Sequence, residues 1–193
     1  MGFKAGNLWP AERHVRPIDP ILEKLEKAQT AFFRCADSVP LEHWSTQPGP
    51  GQWSAAELSA HLITVERDIV SASDRVTQKI PRHIPAMKRF HLPMWLVQSR
   101  FIRRKSPIAT DISLLGSKEE MLAGLRGARE RSLAFLDETQ RKDLSVYYWP
   151  HPFLGMLNIY EWFDMIAAHQ VRHTKQMREI SSRLPKAVEN SQN

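Results

Sequence analysis

Apolar residues recur at helical spacing in four separate stretches of the chain. In each stretch they return every three or four positions, so that they share one face of an α-helix. The first stretch opens at Asp19, an expected N-cap, with Pro20 in the first helical position, and runs to about Ala36. Its expected buried stripe consists of Ile18, Ile21, Leu22, Leu25, Ala28 and Phe32.

The other three stretches begin with a shared capping signal, a Ser or Asn followed three residues later by Glu. In this capping box each of the two side chains accepts a hydrogen bond from a free backbone N–H of the other residue. The signal predicts helices that start at Ser54, Ser117 and Asn158, and that end before Pro81, near Glu138 and before Pro185. Leu133 is expected on the buried face of the third helix.

Four amphipathic helices without an alternating strand pattern predict an all-α fold, an antiparallel four-helix bundle. We expect an N-terminal arm over residues 1–17, the bundle over 18–184 and a flexible tail over 185–193. The connector between the second and third helices, about 35 residues, is too long for an idle loop and should cross one end of the bundle or cover a pocket. The aromatic, proline-rich link over 147–155 should pack against the bundle.

Three histidines interrupt the apolar faces of the second and fourth predicted helices. His61 lies between Leu58 and Val65, and His169 and His173 are one turn apart on a shared face. Burying an imidazole without a partner is costly. A divalent cation removes this cost, because neutral imidazole is a good metal ligand. The pattern therefore predicts a metal site formed by these three histidines.

Three protein ligands leave a position for water or substrate, as in catalytic zinc sites. Without a thiolate ligand the softest metals are disfavoured, whereas zinc, nickel and ferrous iron are all acceptable. Two alternatives stay open. The histidine pair could arise by chance on a helix, as ordinary interior residues, or a metal could merely fasten the two helices together.

The motifs around these histidines resemble the DinB-like superfamily over almost the whole chain. The resemblance rests on the run WSAAELSAHL from Trp53 to Leu62, then His151-Pro152-x-x-Gly155, Glu161-Trp162 and His169-x-x-x-His173-x-x-Gln176. It implies a four-helix bundle with a three-histidine metal site, whose ligands carry over to His61, His169 and His173.

The resemblance also implies a class of reaction. The family includes thiol-dependent transferases that act with bacillithiol, mycothiol or glutathione, and a thiol-dependent maleylpyruvate isomerase. The expected function is a metal-dependent S-transferase, in which a metal-activated thiolate attacks an electrophilic small molecule. The expected cofactors are a divalent metal and a low-molecular-weight thiol. A metal-dependent hydrolase and a non-catalytic, metal-stabilised bundle are the alternatives.

Three further polar residues are candidates for the site. Asp68, two turns after His61 on a similar face, is a candidate general base or outer partner of the metal ligands. Gln176, one turn beyond His173, is either a partner for metal-bound water or a plain polar interior residue. His151, between two prolines, is expected to pack in a turn rather than to act in catalysis.

Composition indicates an ordinary globular domain. The chain has 193 residues, of which 42% are hydrophobic and 25% charged, as in typical soluble domains. Cys35 is the sole cysteine, so no intrachain disulfide can form. The sequence shows neither a signal segment nor an apolar run long enough for a membrane span. We therefore expect a cytoplasmic protein.

The net charge of +6 is concentrated in one segment. Residues 75–110 contain nine Lys or Arg and no Asp or Glu, and we name residues 75–105 the basic connector. It fits a solvated surface, attraction of an anionic substrate, or contact with nucleic acid or an anionic membrane, and nucleic acid is disfavoured. A homodimer is a further expectation, with Trp9, Trp44 and Trp149 as candidate contacts.

Overall fold

The computed structural model describes residues 18–81, 93–94, 97 and 115–185. Its helices are α1 (Asp19–Asp37), α2 (Ala55–Thr77), α3 (Lys118–Glu138) and α4 (Ile159–Arg183), with strands β1 (Tyr148–His151) and β2 (Gly155–Asn158) between α3 and α4. Short 3-10 turns span Leu41–His43 and Leu144–Val146. The predicted four-helix bundle is confirmed. The arm and most of the basic connector lie outside the described residues. None of the described helices has the length and apolar character that crossing a membrane requires.

Capping boxes begin three of the four helices, as predicted. At α2 the backbone N–H of Glu57 donates to Ser54 Oγ at 3.1 Å, and the N–H of Ser54 donates to Glu57 Oε2 at 2.7 Å. The same reciprocal bonds occur at the starts of α3 and α4. An N-cap of this type stabilises a helix by about 0.5–2 kcal/mol. The signal therefore fixed these helix starts to within one residue.

The predicted N-cap of α1 is wrong by one residue. Ile18 holds the N-cap position without a side-chain hydrogen bond, and Asp19 and Pro20 are already helical. Ile18 has helical backbone angles, and its carbonyl accepts a hydrogen bond from the N–H of Leu22 at 2.9 Å. Asp19 acts instead as an acidic residue in the first turn, where it interacts favourably with the helix dipole.

The interior of the bundle is formed by the apolar faces of all four helices. Phe135 on α3 and Phe163 on α4 stack with their ring centroids 5.5 Å apart. The predicted stripe of α1 is buried except for Leu22, which is half-buried. Leu133, predicted to be inside, is 39% exposed. The inward face of that part of α3 is taken by the buried polar residues Arg129 and Ser132.

The link before α4 forms a β-hairpin, which the sequence analysis did not predict. Strands β1 and β2 pair antiparallel, with His151 opposite Gly155. Gly155 has a φ of 98°, a conformation that side chains disfavour and glycine tolerates. The ring of Trp149 stacks on that of Trp162 at 4.7 Å, and Trp162 Nε1 donates to the Trp149 carbonyl at 3.3 Å. These contacts fasten the hairpin to α4.

The tryptophans suggested as dimer contacts occupy different environments. Trp44 is only 3% exposed, so its predicted role in a dimer contact is wrong. Its Nε1 has no hydrogen-bond partner among the described residues. Trp149 is half-buried against Trp162, and Trp9 lies outside the described residues. Homodimerisation stays a prediction.

Candidate metal centre

Helices α2 and α4 bring His61, His169 and His173 together. The Nε2 atom of His169 lies 3.3 Å from Nε2 of His61 and 3.0 Å from Nε2 of His173. The potential ligand atoms of all three lie within 4.8 Å of one another. Nitrogen ligands about 2.0–2.1 Å from a tetrahedral zinc are about 3.3 Å apart. The observed spacing therefore fits a shared cation.

The contacts among the three rings cannot all be good hydrogen bonds. Nδ1 of His173 lies 3.0 Å from Gln176 Oε1. Because an amide oxygen only accepts, Nδ1 carries the proton of His173 and Nε2 carries a lone pair. Nε2 of His169 faces two other ring nitrogens. An imidazole nitrogen either donates its one proton or accepts one, so it cannot form a good hydrogen bond with both. A cation between the rings would satisfy the lone pairs that the protein leaves unpaired.

All three imidazoles are neutral at physiological pH. Burial lowers the pKa of His61 to about 4. Burial, followed by the charges of His61, Arg172 and His151, lowers the pKa of His169 to about 3. The pKa of His173 also lies well below its usual value, again chiefly because of burial. Neutral imidazole is the form that binds metal.

The indole ring of Trp53, at the start of α2, lies beside the three histidines. Trp53 immediately precedes the N-cap Ser54. Its ring centroid lies 4.8 Å from that of His61 and 6.1 Å from that of His173. The capping box that starts α2 therefore also fixes this indole. No role was predicted for Trp53, although an aromatic residue directly before a helix cap is visible in the sequence.

Gln176 forms a hydrogen bond with His173 and is therefore more than a plain polar residue of the interior. By accepting from Nδ1 of His173 it fixes the tautomer that leaves Nε2 free to bind a metal. His61 has no equivalent support, because its buried Nδ1 has no partner among the described residues. The predicted alternative, a hydrogen bond from Gln176 to metal-bound water, stays a prediction.

Asp68 does not lie inside the bundle. Its side chain is exposed on α2, so the prediction that it lies on a similar face to the buried His61 is wrong. A step of two turns drifts by about 20° around a helix, and the buried face at this level is filled by Val65 and Ile69. The role of Asp68 as a general base remains untested.

The buried acid of α2 is Glu66, which the sequence analysis missed. Its carboxylate accepts from Arg129 Nε and from Ser132 Oγ, both at 2.7 Å. Arg129 also donates to Gln170 Oε1 at 2.9 Å and to the carbonyl of Leu25. Glu66 and Arg129 are only 4% and 3% exposed. We call this the charged cluster; it joins all four helices.

His151 lies in the hairpin turn, as expected. Its Nδ1 accepts the backbone N–H groups of Phe153 and Leu154 at 3.1 and 3.2 Å. Its ring packs against Trp162 with centroids 5.1 Å apart. Burial lowers the pKa of His151 to about 4, so this imidazole too is neutral at physiological pH.

Comparison with known proteins agrees with this arrangement. The sequence profile of the DinB superfamily matches residues 24–177, a range that includes all three histidines. The chain belongs to the DinB superfamily. Metal binding is common in the DinB superfamily, and the three-histidine cluster is in keeping with it.

The chain is also similar to two individual proteins, one in sequence and one in structure. The uncharacterised protein YuaE of Bacillus subtilis (strain 168) is 26% identical over 149 residues, which cover 76% of this chain and 88% of YuaE. The crystal structure of TT2238, a four-helix bundle protein, matches with a TM-score of 0.54 and 22% identity, covering 83% of this chain and 98% of TT2238. This second likeness supports the fold alone.

Proposed function

We propose that the protein is a metal-dependent enzyme, a thiol-dependent S-transferase, with His61, His169 and His173 as the metal ligands. The observation that carries the proposal is the convergence of three Nε2 atoms from two helices. Among the described residues no fourth His, Cys, Asp or Glu joins the cluster. An incomplete set of protein ligands is typical of catalytic rather than structural sites.

The donor set fits a borderline divalent cation such as zinc, nickel or ferrous iron. Such an ion lowers the pKa of a coordinated thiol or water and so supplies a nucleophile near neutral pH. Gln176 orients His173 through its Nδ1–H, and the indole of Trp53 packs beside His61. The DinB family resemblance favours a low-molecular-weight thiol over water, with an electrophilic small molecule as the acceptor.

The metal assignment is tested by elemental analysis of protein purified without added metal. We expect a single divalent ion per chain, lost in the variants His61→Ala and His173→Ala because each removes a nitrogen ligand. The matched control is His43→Ala, which changes a histidine outside the cluster. Unchanged metal content in His61→Ala would contradict the assignment.

The reaction class is tested by following thiol consumption with a panel of electrophiles. Metal-loaded protein should consume bacillithiol, mycothiol or glutathione, whereas chelated protein and His169→Ala should not. Turnover of substrate without loss of thiol would instead indicate a hydrolase. A large fall in melting temperature on chelation, with no turnover of any kind, would indicate a purely structural metal.

A further inference from the structure

The turn at His151 uses only one of the two ring nitrogens. Nδ1 accepts two backbone N–H groups, so the proton of the neutral ring is on Nε2. An Asn or Asp would supply the same acceptor, as in common Asx-turns, without burying an aromatic ring nitrogen. The imidazole therefore adds something that the turn does not need, an N–H group on the opposite edge of the ring.

The hairpin holds this ring beside the metal-binding face of α4. His151 packs against Trp162, which lies two turns before His169 on the same side of the helix. Trp162 is itself fixed by its stacking on Trp149 and by its hydrogen bond to the Trp149 carbonyl. After burial and the charges of His61 and Arg172, a positive charge on His151 is the smallest of the causes that lower the pKa of His169. The ring is thus held in place on the side of α4 that carries His169, two turns away along the helix.

The Nε2–H group of His151 is free for a ligand within the part of the chain that the structure describes. There, the hydrogen bonds of His151 are those that Nδ1 accepts from the turn. The ring is half-buried, and its low pKa keeps it neutral at physiological pH. It is therefore a fixed, uncharged donor.

We propose that His151 binds the small molecule that occupies the three-histidine centre, by donating a hydrogen bond from Nε2–H to an electron-rich oxygen, nitrogen or sulfur atom of that molecule. The inference rests on the proposed function, since it requires a metal at His61, His169 and His173. Ligands with an anionic acceptor atom, such as a thiolate or a carboxylate, satisfy this donor best. His151 therefore affects which small molecule binds at the centre, and it does not affect the binding of the metal.

The variant His151→Asn separates the two roles of the ring. The Oδ1 atom of Asn replaces Nδ1 as the acceptor in the turn, while its amide nitrogen falls at the place of the ring Cδ2 and does not reach the position of Nε2. The hairpin is therefore preserved and the donor is removed. His43→Asn is the matched control, because it makes the same change in the 3-10 turn before α2.

The probe is azide, titrated into cobalt-loaded protein and followed by visible absorption. We expect His151→Asn to bind azide about tenfold more weakly, the loss of a hydrogen bond worth about 1.4 kcal/mol. Its affinity for cobalt and its melting temperature should match those of the wild type. Equal azide affinity in the two proteins would overturn the inference.

A measurement on the wild type removes any dependence on the folding of the variant. In the zinc-loaded protein, nitrogen–proton correlation spectra should show His151 protonated at Nε2, and azide should shift that proton. An Nδ1–H tautomer, or no shift on saturation, would overturn the inference while leaving the metal centre intact. If the wild type binds neither cobalt nor zinc, the proposed function fails and this inference fails with it.

Discussion

The charged cluster and the three-histidine centre both lie inside the bundle and both include residues of α2 and α4. The protein supplies a full set of hydrogen-bond partners only in the charged cluster. In the charged cluster, Glu66 accepts from Arg129 and Ser132, and Arg129 donates onward to Gln170. In the centre, ring nitrogens face one another, and Nδ1 of His61 has no partner among the described residues. The charged cluster, whose polar groups are paired, is thus a structural network, whereas the histidine centre, whose ring nitrogens are not all paired, requires a ligand.

The two regions also meet the cost of burial in different ways. The charged cluster pairs a cation with an anion, and their mutual attraction and hydrogen bonds offset the loss of hydration. The histidines avoid that cost by remaining neutral, since burial lowers the pKa of His61 to about 4. Removing one group should therefore have opposite consequences in the two regions.

The largest effect is expected in the charged cluster. Arg129→Met leaves the buried carboxylate of Glu66 without its cation, which should lower the free energy of unfolding by about 3–5 kcal/mol. The double variant Glu66→Met/Arg129→Met should recover most of this loss, because no unpaired charge remains. Urea unfolding measures both variants. Equal stabilities of the single and double variants would show that the pair contributes mainly through packing.

The metal-free centre should make stability depend on pH. The pKa of His61 is about 4 in the folded protein, against a usual value of 6.5, so the unfolded state binds more protons between these values. Stability is therefore complete above pH 6.5 and is lost as the pH falls towards 4. His61 alone accounts for about 3 kcal/mol of that loss.

The groups next to His61 reinforce this direction. The pKa values of His169 and His173 are also lowered, and Arg172 contributes to both shifts. Urea unfolding at a series of pH values, with the protein kept metal-free by chelation, measures the slope. The variant His61→Leu should have a shallower slope, and an unchanged slope would show that other groups cause it.

Metal should stabilise the centre and leave the charged cluster unaffected. A metal at a free concentration of about 100 times its dissociation constant raises the free energy of unfolding by about 2.7 kcal/mol. Differential scanning fluorimetry with added zinc should show this shift in the wild type and in the Glu66→Met/Arg129→Met variant. His173→Ala should show no shift, and an equal shift there would place the metal elsewhere.

The smallest effect is expected when a histidine is replaced by an apolar residue without metal. His61→Leu removes a buried ring whose Nδ1 has no partner among the described residues, so the metal-free protein should be unchanged or slightly more stable, by about 1 kcal/mol. This is the opposite sign to Arg129→Met. A loss of several kcal/mol in urea unfolding would mean that the imidazoles complete one another without an ion.

Local signals in the sequence were sufficient for the helices and for the three histidines. Capping boxes act within a single turn, and the spacing of His169 and His173 is that of one helical face. Their convergence with His61 needed only the apolar pattern of two helices. The features with local causes were therefore predictable.

The features that were missed depend on distant partners. Glu66 is buried because it pairs with Arg129, 63 residues further along the chain, while Asp68 on the same helix stays exposed. The hairpin depends on the stacking of Trp149 on Trp162, and its strands have only four residues each. Neither the pairing of Glu66 with Arg129 nor that of Trp149 with Trp162 produces a periodic pattern in the sequence.

Because Trp53 lies beside the histidines, access of solutes to them depends on the N-terminal end of α2. The indole lies against His61 and His173, yet it belongs to the residue just outside α2. There the backbone is held by the reciprocal bonds between Ser54 and Glu57 and by the bond from the N–H of Ala56 to the carbonyl of Trp44. Helix ends fray at far smaller free energies than those of global unfolding. Brief unwinding of a single turn would swing the indole aside and admit solute from that direction, while the rest of the bundle stays folded.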